Sequence, residues 1–407
     1  MQARKAILGI VVASIKQQES NRNAEPLLPE PAFYRALSIA GKQLGIDVFV
    51  FTADSLKPHL KQLFGYQLID NRWVHQRVPF PDIIYDRCFF SNANEQLGCR
   101  HMLRQLAAIQ PYRLLNGALP AKLEVYEGLK ADDQLAKHLP VTLTYASAQQ
   151  LHTFIDRCPG GIILKPSAGM QGRGIIHVKS CCHDRSILIT GRTRQNRSFT
   201  HTFEGKQALS IWINRFIKGS SYLIQPYLDL SGTDNKPFDV RALIQKDERG
   251  RWVLTGTAAR VGHSGSLTSN LHGGGEALPA SELLCAKFGK PESERLLDQI
   301  HTISKQTAER LESKYGRFAE LGLDYGIDQS RYLWLLEVNS KPGRSSFRKI
   351  GAPLAEQQSI ERPLIYAAFL SRRLSPSFVA NESANGRRPL LSSDNLLRPF
   401  NVQEVHR

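Results

Sequence analysis

Leu333-Trp334-Leu335-Leu336-Glu337-Val338-Asn339, near the end of the chain, decides how the rest is read. Four bulky apolar residues lead into two oxygen donors separated by Val338. On an extended strand alternate side chains share a face, so Glu337 and Asn339 project from the same side. A carboxylate beside a carboxamide oxygen suits a hard divalent cation such as Mg2+, which keeps several waters and shares phosphate oxygens. Asp324 lies upstream in Leu321-Gly322-Leu323-Asp324-Tyr325, across the turn-like Asp328-Gln329-Ser330. A hairpin centred on Gln329-Ser330 sets Asp324 opposite Leu335, and cross-strand partners share a face. Three oxygen donors then converge. A half-buried edge strand with solvated polar residues explains the same letters, so other segments must decide.

Working outward, Phe238-Asp239-Val240-Arg241 puts a carboxylate and a guanidinium on one strand face. With Asp247-Glu248-Arg249-Gly250 as the turn, Lys246 pairs with Arg251 and Asp239 with Ala258, and Arg260 joins the face of Asp239 and Arg241. Two arginines on one face repel unless an anion lies between them, and phosphate and carboxylate both fit guanidinium bidentately. A surface ladder in which Asp239 neutralises Arg241 is the plainer alternative. Downstream, Asn270-Leu271-His272-Gly273-Gly274-Gly275 is a polar glycine loop, suited to close approach to a ligand or to a flexible connection. The histidines form no recognisable metal set, and no Ser or Cys sits in a nucleophile elbow.

A second glycine loop, Ser167 to Gly174, runs between the apolar strands Ile162-Ile163-Leu164-Lys165-Pro166 and Ile175-Ile176-His177-Val178. Glycines at 169, 172 and 174 allow backbone N–H groups to cluster, which a phosphate cradle needs. No Gly-Lys-Ser/Thr follows, so this is not a Walker loop. A tight hairpin would use the same letters. Lys165 tips the reading: a cation in an apolar strand is costly unless it faces solvent or an anion, and a triphosphate is such an anion.

The formal charge is +16, yet the basic residues are dispersed, and the densest run, Arg192 to Arg197, has no interleaved aromatics to stack bases. Nucleic acid is therefore not expected as a partner. Six scattered cysteines without a C-x-x-C pair fit reduced thiols in a cytoplasmic protein. The apolar stretch Ala6 to Ile15 is too short for a membrane span, lacks a cleavage site, and reads as a buried first strand.

The 407 residues suffice for two or three domains. Strands at Ile7-Ala13, Ile46-Phe51 and Asp82-Asp86, with a helix from Pro31 to Leu44, predict a small parallel α/β domain. A helical segment around Ala121-Lys137 opens the next region. It continues through Tyr222-Leu223-Ile224-Gln225-Pro226-Tyr227-Leu228 and the two hairpins. After Arg373 the sequence turns to Ser, Asn, Pro and paired Arg without periodicity, which predicts a disordered tail.

In this order the pieces resemble the ATP-grasp superfamily over roughly residues 115 to 370. The markers are Lys122, Ile163-Leu164-Lys165-Pro166 with its glycine loop, Tyr222 to Leu228, Asp239-Val240-Arg241, Ala259-Arg260, Ser269-Asn270-Leu271 and Glu337-Val338-Asn339. The finer pattern resembles the YheC/YheD-type endospore coat-associated proteins, through Pro81 to Arg87, His138-Leu139-Pro140-Val141-Thr142, Pro237 to Arg241 and Val338-Asn339-Ser340-Lys341-Pro342-Gly343.

The resemblance implies an α/β pre-ATP-grasp domain (1–114), a two-subdomain ATP-grasp domain of α+β type (115–370, lid about 140–225) with nucleotide in the cleft, and the tail (371–407). It implies that Lys122 and Lys165 hold the ATP phosphates, with Ser167, Gly169, Gly172 and Gly174 closing over them. Adenine would sit at Gln225, Pro226, Tyr227 and Leu228, with the Pro226 carbonyl accepting and the Leu228 amide donating. Asp239 would take the ribose and Asn270 would belong to the nucleotide site. Arg241 and Arg260 would be catalytic, and Asp324, Glu337 and Asn339 would hold one or two Mg2+ ions. The implied activity is ligation of a small-molecule carboxylate to an amine or thiol through an acylphosphate, with association to the spore coat. A nucleotide-binding coat protein with little ligase activity is the alternative. The chain departs from peptide-ligase relatives at Thr268, where several carry an arginine for the acidic substrate; Arg344 and Arg348 are candidate replacements.

Overall fold

Ala6–Val11 is central to the first of three sheets that the described residues form. The computed structural model describes residues 5–16, 25–169, 172–181, 186–231, 234–267, 269 and 275–372. Ala6–Val11 pairs in parallel with Ile46–Phe51 on one side and Ile83–Asp86 on the other. Its last four residues are buried, as a strand covered on both faces requires. The crossover helix Pro31–Leu44 starts on a proline that has no N–H to lose and stops at Gly45, whose φ of 70° suits a left-handed cap.

The parallel core is as expected, but the sheet is mixed. An antiparallel hairpin, Gln62–Ile69 with Arg72–Val78, extends it beyond Ile46–Phe51. Its turn, Asp70-Asn71, holds φ values of 47° and 64°, the primed geometry that matches strand twist. That Asp-Asn pair is itself the local signal for this hairpin, which the expected parallel α/β domain does not include.

The second sheet is antiparallel, ordered Ser198–Phe203, Ile187–Arg192, Ile176–Ser180, Ile162–Pro166, Tyr222–Pro226, Leu143–Thr144. Helices Ala148–Arg157 and Lys206–Ile217 bury Leu151, Ile155, Leu209 and Ile213 against Leu164, Ile176 and Ile224 on one face. By the two-residue period, Ile163, Lys165, Leu223 and Gln225 belong to the other face, where Lys165 opposes Leu223 and Ile163 opposes Gln225.

The third sheet is ordered Glu276–Pro279, Trp252–Val261, Phe238–Lys246, Glu320–Ile327, Leu333–Asn339. The long helix Lys290–Tyr315 packs Leu296, Ile300 and Leu311 on the face carrying Val240, Ala242 and Ile244. Asp239 and Arg241 are thereby left on the opposite face.

Both hairpins of this sheet correct the expected register in the same way. At the tips Lys246 pairs with Trp252, not Arg251, and Ile327 pairs with Leu333. Inside these pairs the Asp247 amide donates to the Arg251 carbonyl and the Asp328 amide to the Tyr332 carbonyl, so each loop holds three residues, the last in the left-handed region (Gly250, φ 74°; Arg331, φ 66°). A one-residue slip alone would turn the polar side chains to opposite faces. A bulge in each hairpin, at Leu243/Ile244 and at Asp324/Tyr325, adds a second residue and restores the shared face. Asp239 therefore opposes Arg260 rather than Ala258, and Asp324 opposes Glu337 rather than Leu335.

The final helix, Pro353–Arg372, returns to the first sheet, packing Leu364, Ala367 and Leu370 with Leu8, Ile10 and Leu37. Residues from 373 on, where the tail is expected, lie outside the described residues. No helix among the described residues is long and apolar enough to cross a membrane.

Candidate functional site

The inner face of the second sheet and the polar face of the third enclose a cleft. Its walls contain Lys122, Lys165, Gly169, Gly172, Gln225, Pro226, Tyr227, Leu228, Asp239, Arg260, Asp324 and Glu337. These residues come from segments spread over more than two hundred positions of sequence. Lys122 opens the helix Lys122–Lys130, Lys165 sits near the end of its strand, and the three acidic residues stand on adjacent strands of the third sheet.

Four expected site residues do not border the cleft. Ser167 turns its hydroxyl back to the Ser221 carbonyl at 2.8 Å. Gly174, at φ 75°, accepts from the Tyr222 hydroxyl at 3.1 Å and closes the base of the glycine loop. Arg241 stands behind Asp324, with Nη2 donating to Oδ2 at 3.0 Å and Nε to Oδ1. Asn339 lies one step past Glu337 on the same strand face, opposite Gly322. Asn270 and Thr268 lie outside the described residues.

The charged groups form a chain. Arg260 donates from Nε to Asp239 Oδ1 at 2.6 Å, and its Nη2 lies 3.1 Å from Asp324 Oδ1. The Ser269 hydroxyl donates to the other oxygen of Asp239. The anion expected between the two arginines is thus Asp324 itself. Asp239 neutralises Arg260, not Arg241.

Burial works to raise the Asp324 pKa, but Arg241 and Arg260 outweigh it and hold the carboxyl down at about 2. Burial pushes Asp239 up despite Arg260, and the Asp324 charge adds to the push. Burial opposes the charge on Arg260, yet Asp324 and Asp239 drive its pKa above the ordinary range.

A second pair joins Lys122 Nζ to Glu337 Oε1 at 3.3 Å. Lys165 stands apart. Burial, reinforced by the nearby Lys122 charge and opposed by Glu337, lowers its pKa to about 8. Among the described residues no hydrogen bond or ion pair reaches its ammonium. The cleft therefore offers an unmatched cation to an anionic ligand.

At the linker leaving the second sheet, Gln225 Nε2 donates to Thr142 Oγ1 at 2.5 Å and the Tyr227 amide donates to the Gly161 carbonyl at 2.9 Å. Among the described residues, the Leu228 amide has no partner. Apolar walls at Ile163, Ile175, Phe238 and Leu336 line the same cleft. A flat apolar group could lie there with its polar edge toward the linker.

Two residues that line the cleft and one behind its linker have roles that the sequence does not announce. Arg173 lines the cleft from within the glycine loop. The Ser269 hydroxyl completes the Asp239 shell. His177 stacks on Tyr227 with ring centroids 4.0 Å apart, and its place opposite Ile163 was the available clue. The suggested substrate arginines fare differently. Arg344 is committed away from the cleft, to Glu320, the Tyr85 hydroxyl and the Pro342 and Ser359 carbonyls. Arg348 is exposed and lies 3.8 Å from Glu356.

The chain is 28% identical over 344 residues to the endospore coat-associated protein YheC of Bacillus subtilis (strain 168), an alignment covering 84% of this chain and 90% of that one. With YheD of the same organism, also described as endospore coat-associated, identity is 26% over 361 residues, covering 86% and 76%. Among solved structures, the D-alanine-D-alanine ligase from Coxiella burnetii is similar at a TM-score of 0.48 and 9% identity, covering 95% of this chain and 100% of that one. Over residues 112–370 the chain matches the YheC/D like ATP-grasp family, and it belongs to that family and has its ATP-grasp fold.

Proposed function

We propose that the protein is an ATP- and Mg2+-dependent ligase that joins a small-molecule carboxylate to an amine or thiol through an acylphosphate. The observation that carries this reading is the convergence of Lys122, Lys165, Asp239, Arg260, Asp324 and Glu337 on one cleft. Family membership supports the nucleotide. The donor set also fits it: an ammonium without a partner among the described residues suits phosphate, and the Leu228 amide, likewise without one among them, beside the Pro226 carbonyl suits the edge of adenine.

For the metal, Glu337 and Asn339 present a carboxylate and a carboxamide from one strand face, the oxygen chemistry Mg2+ prefers. Asp324 would join them by exchanging arginine contacts for the cation. A bound cation supplies positive charge beside the transferring phosphoryl group. Lys122 and Lys165 would hold the phosphate oxygens, and Arg260, with Arg241 behind it, would meet the charge that develops in transfer. The substrate carboxylate oxygen attacks the γ-phosphorus and ADP leaves. The amine or thiol then attacks the acyl carbon and phosphate leaves. The glycine loop and sheet walls would position the reactants and exclude water.

Calorimetry with ATP, with and without Mg2+, tests the first part: binding should require the metal and weaken in Glu337→Ala. Screening amino acids, peptides and small carboxylates for substrate-dependent ADP release tests the second. Tight ATP binding without any such release would favour a second reading, a nucleotide-binding protein of the spore coat, which the names of YheC and YheD support. Absence of ATP binding would sink both.

A further inference from the structure

We infer that His177 is a positioning residue for the base: by clamping Tyr227 to the corner Gly160-Gly161 it aims the two linker groups that read an adenine-type edge into the cleft. This rests on the nucleotide reading above and extends it to a residue in the second sheet.

Peptide planarity carries the argument. In a trans peptide the N–H and the preceding C=O point in opposite directions, and no cis bond occurs among the described residues. The Tyr227 amide donates to the Gly161 carbonyl at 2.9 Å. The Pro226 carbonyl shares that peptide unit, so it is turned away from Gly161, on a residue that lines the cleft. The next unit holds the Tyr227 carbonyl and the Leu228 amide. A methyl group on Gly160 would lie 3.9 Å from that carbonyl. The carbonyl thus lies beside the corner, and planarity turns the Leu228 amide, unpartnered among the described residues, the other way, on a residue that lines the cleft. An acceptor and a donor two residues apart result, matching a base with an exocyclic amino group beside a ring nitrogen acceptor.

His177 holds the corner in place. Its ring stacks on Tyr227 at 4.0 Å with planes 20° apart. Its Nε2 lies 3.2 Å from the Gly160 carbonyl, which can only accept, so Nε2 carries the proton. The corner folds this tightly because Gly161 has a φ of 94° and no side chain; a Cβ there would sit 2.4 Å from the Val178 carbonyl oxygen and 2.8 Å from His177 Nε2. One corner thus grips the Tyr227 backbone through Gly161 and the Tyr227 ring through His177.

Full-length His177→Ala and His177→Phe are titrated calorimetrically, in Mg2+, with ATP, GTP and inorganic tripolyphosphate, which has no base. His177→Ala should weaken ATP about tenfold, the order of a lost aromatic pair, narrow the preference for ATP over GTP, and leave tripolyphosphate unchanged. His177→Phe, which keeps the stack, should retain most ATP affinity. Equal losses for ATP and tripolyphosphate would overturn the inference in favour of general support of the lid, as would no loss at all. Should His177→Ala fail to fold, Tyr227→Leu takes its place with the same expected pattern. A parent protein that binds tripolyphosphate but not ATP overturns the inference while sparing the phosphate site; one that binds neither overturns the nucleotide reading itself.

Discussion

Two buried clusters in this protein contain the same ingredients: two arginines, two carboxylates and a hydroxyl. In the cleft they are Arg241, Arg260, Asp239, Asp324 and Ser269. Between the first and third sheets they are Arg87, Arg344, Glu30, Glu320 and Tyr85. There Arg87 reaches Glu30 with Nε at 2.8 Å and Nη2 at 2.6 Å, while Arg344 and Tyr85 both bond Glu320. The second cluster is sealed by rings, with Phe33 3.9 Å from the Arg344 guanidinium and 5.5 Å from that of Arg87. Arg87 and Glu320 have no exposed side-chain surface. Identical charges thus weld two sheets when aromatic faces close over them, and form a site when one side opens to a cleft. Composition does not separate the two; what lies on the fourth side does.

Removing one arginine from each cluster is the strongest way to break the contrast. Arg87→Met deprives the half-buried Glu30 of its arginine and leaves Glu320 to Arg344 and Tyr85 alone, and should cost about 3–5 kcal/mol in urea unfolding, while ATP affinity of the folded fraction stays put. Arg260→Met should instead reduce substrate-dependent ADP release by about 100-fold, with the smaller stability loss. Interchanged phenotypes would mean that the cleft cluster is the weld.

Lys165→Met sharpens the contrast from the side of an unpaired charge. It should weaken ATP by about tenfold, as loss of a charged hydrogen-bond donor does, yet make the unliganded protein more stable at pH 7. The sign follows from its pKa of about 8, against 10.5 for free lysine. Below pH 8 the folded state carries the full cost of a half-buried ammonium. Between about 8 and 10.5 the folded form has lost a proton that the unfolded chain keeps, so the parent gains stability as pH rises. The smallest effect is therefore the pH dependence of the difference: the advantage of Lys165→Met should fade from pH 8 to 10.5 in thermal melts. An advantage constant with pH would show that Lys165 is solvated.

The local elements were legible because their signals are local. Pro31–Leu44 and Ile46–Phe51 fall where Pro31, Gly45 and the apolar runs place them. The shared faces of Asp239 with Arg260 and of Asp324 with Glu337 were also legible, since burial of the alternate residues enforces them. The pairings were not. Each loop is set by an aspartate: Asp247 Oδ1 accepts from the Arg249 and Arg251 amides, and Asp328 Oδ1 from those of Ser330 and Tyr332. Those carboxylates favour three-residue loops over the even-numbered ones that the alternation of side chains suggests, and the bulges that compensate leave no clear mark in the letters. Arg344 shows the same limit at longer range: nothing beside it in sequence announces Glu320 or Tyr85.

The second sheet begins at Leu143–Thr144 and ends at Tyr222–Pro226, and these strands run side by side, Leu143 opposite Ile224. Some eighty residues are therefore spliced into the chain through a single two-stranded stalk. A module mounted this way can be exchanged, shortened or replaced by a brief connector without opening the flanking cores. Chimaeras between homologues should accordingly be cut outside that stalk, so that Gln225 to Leu228 stay with the cleft they line.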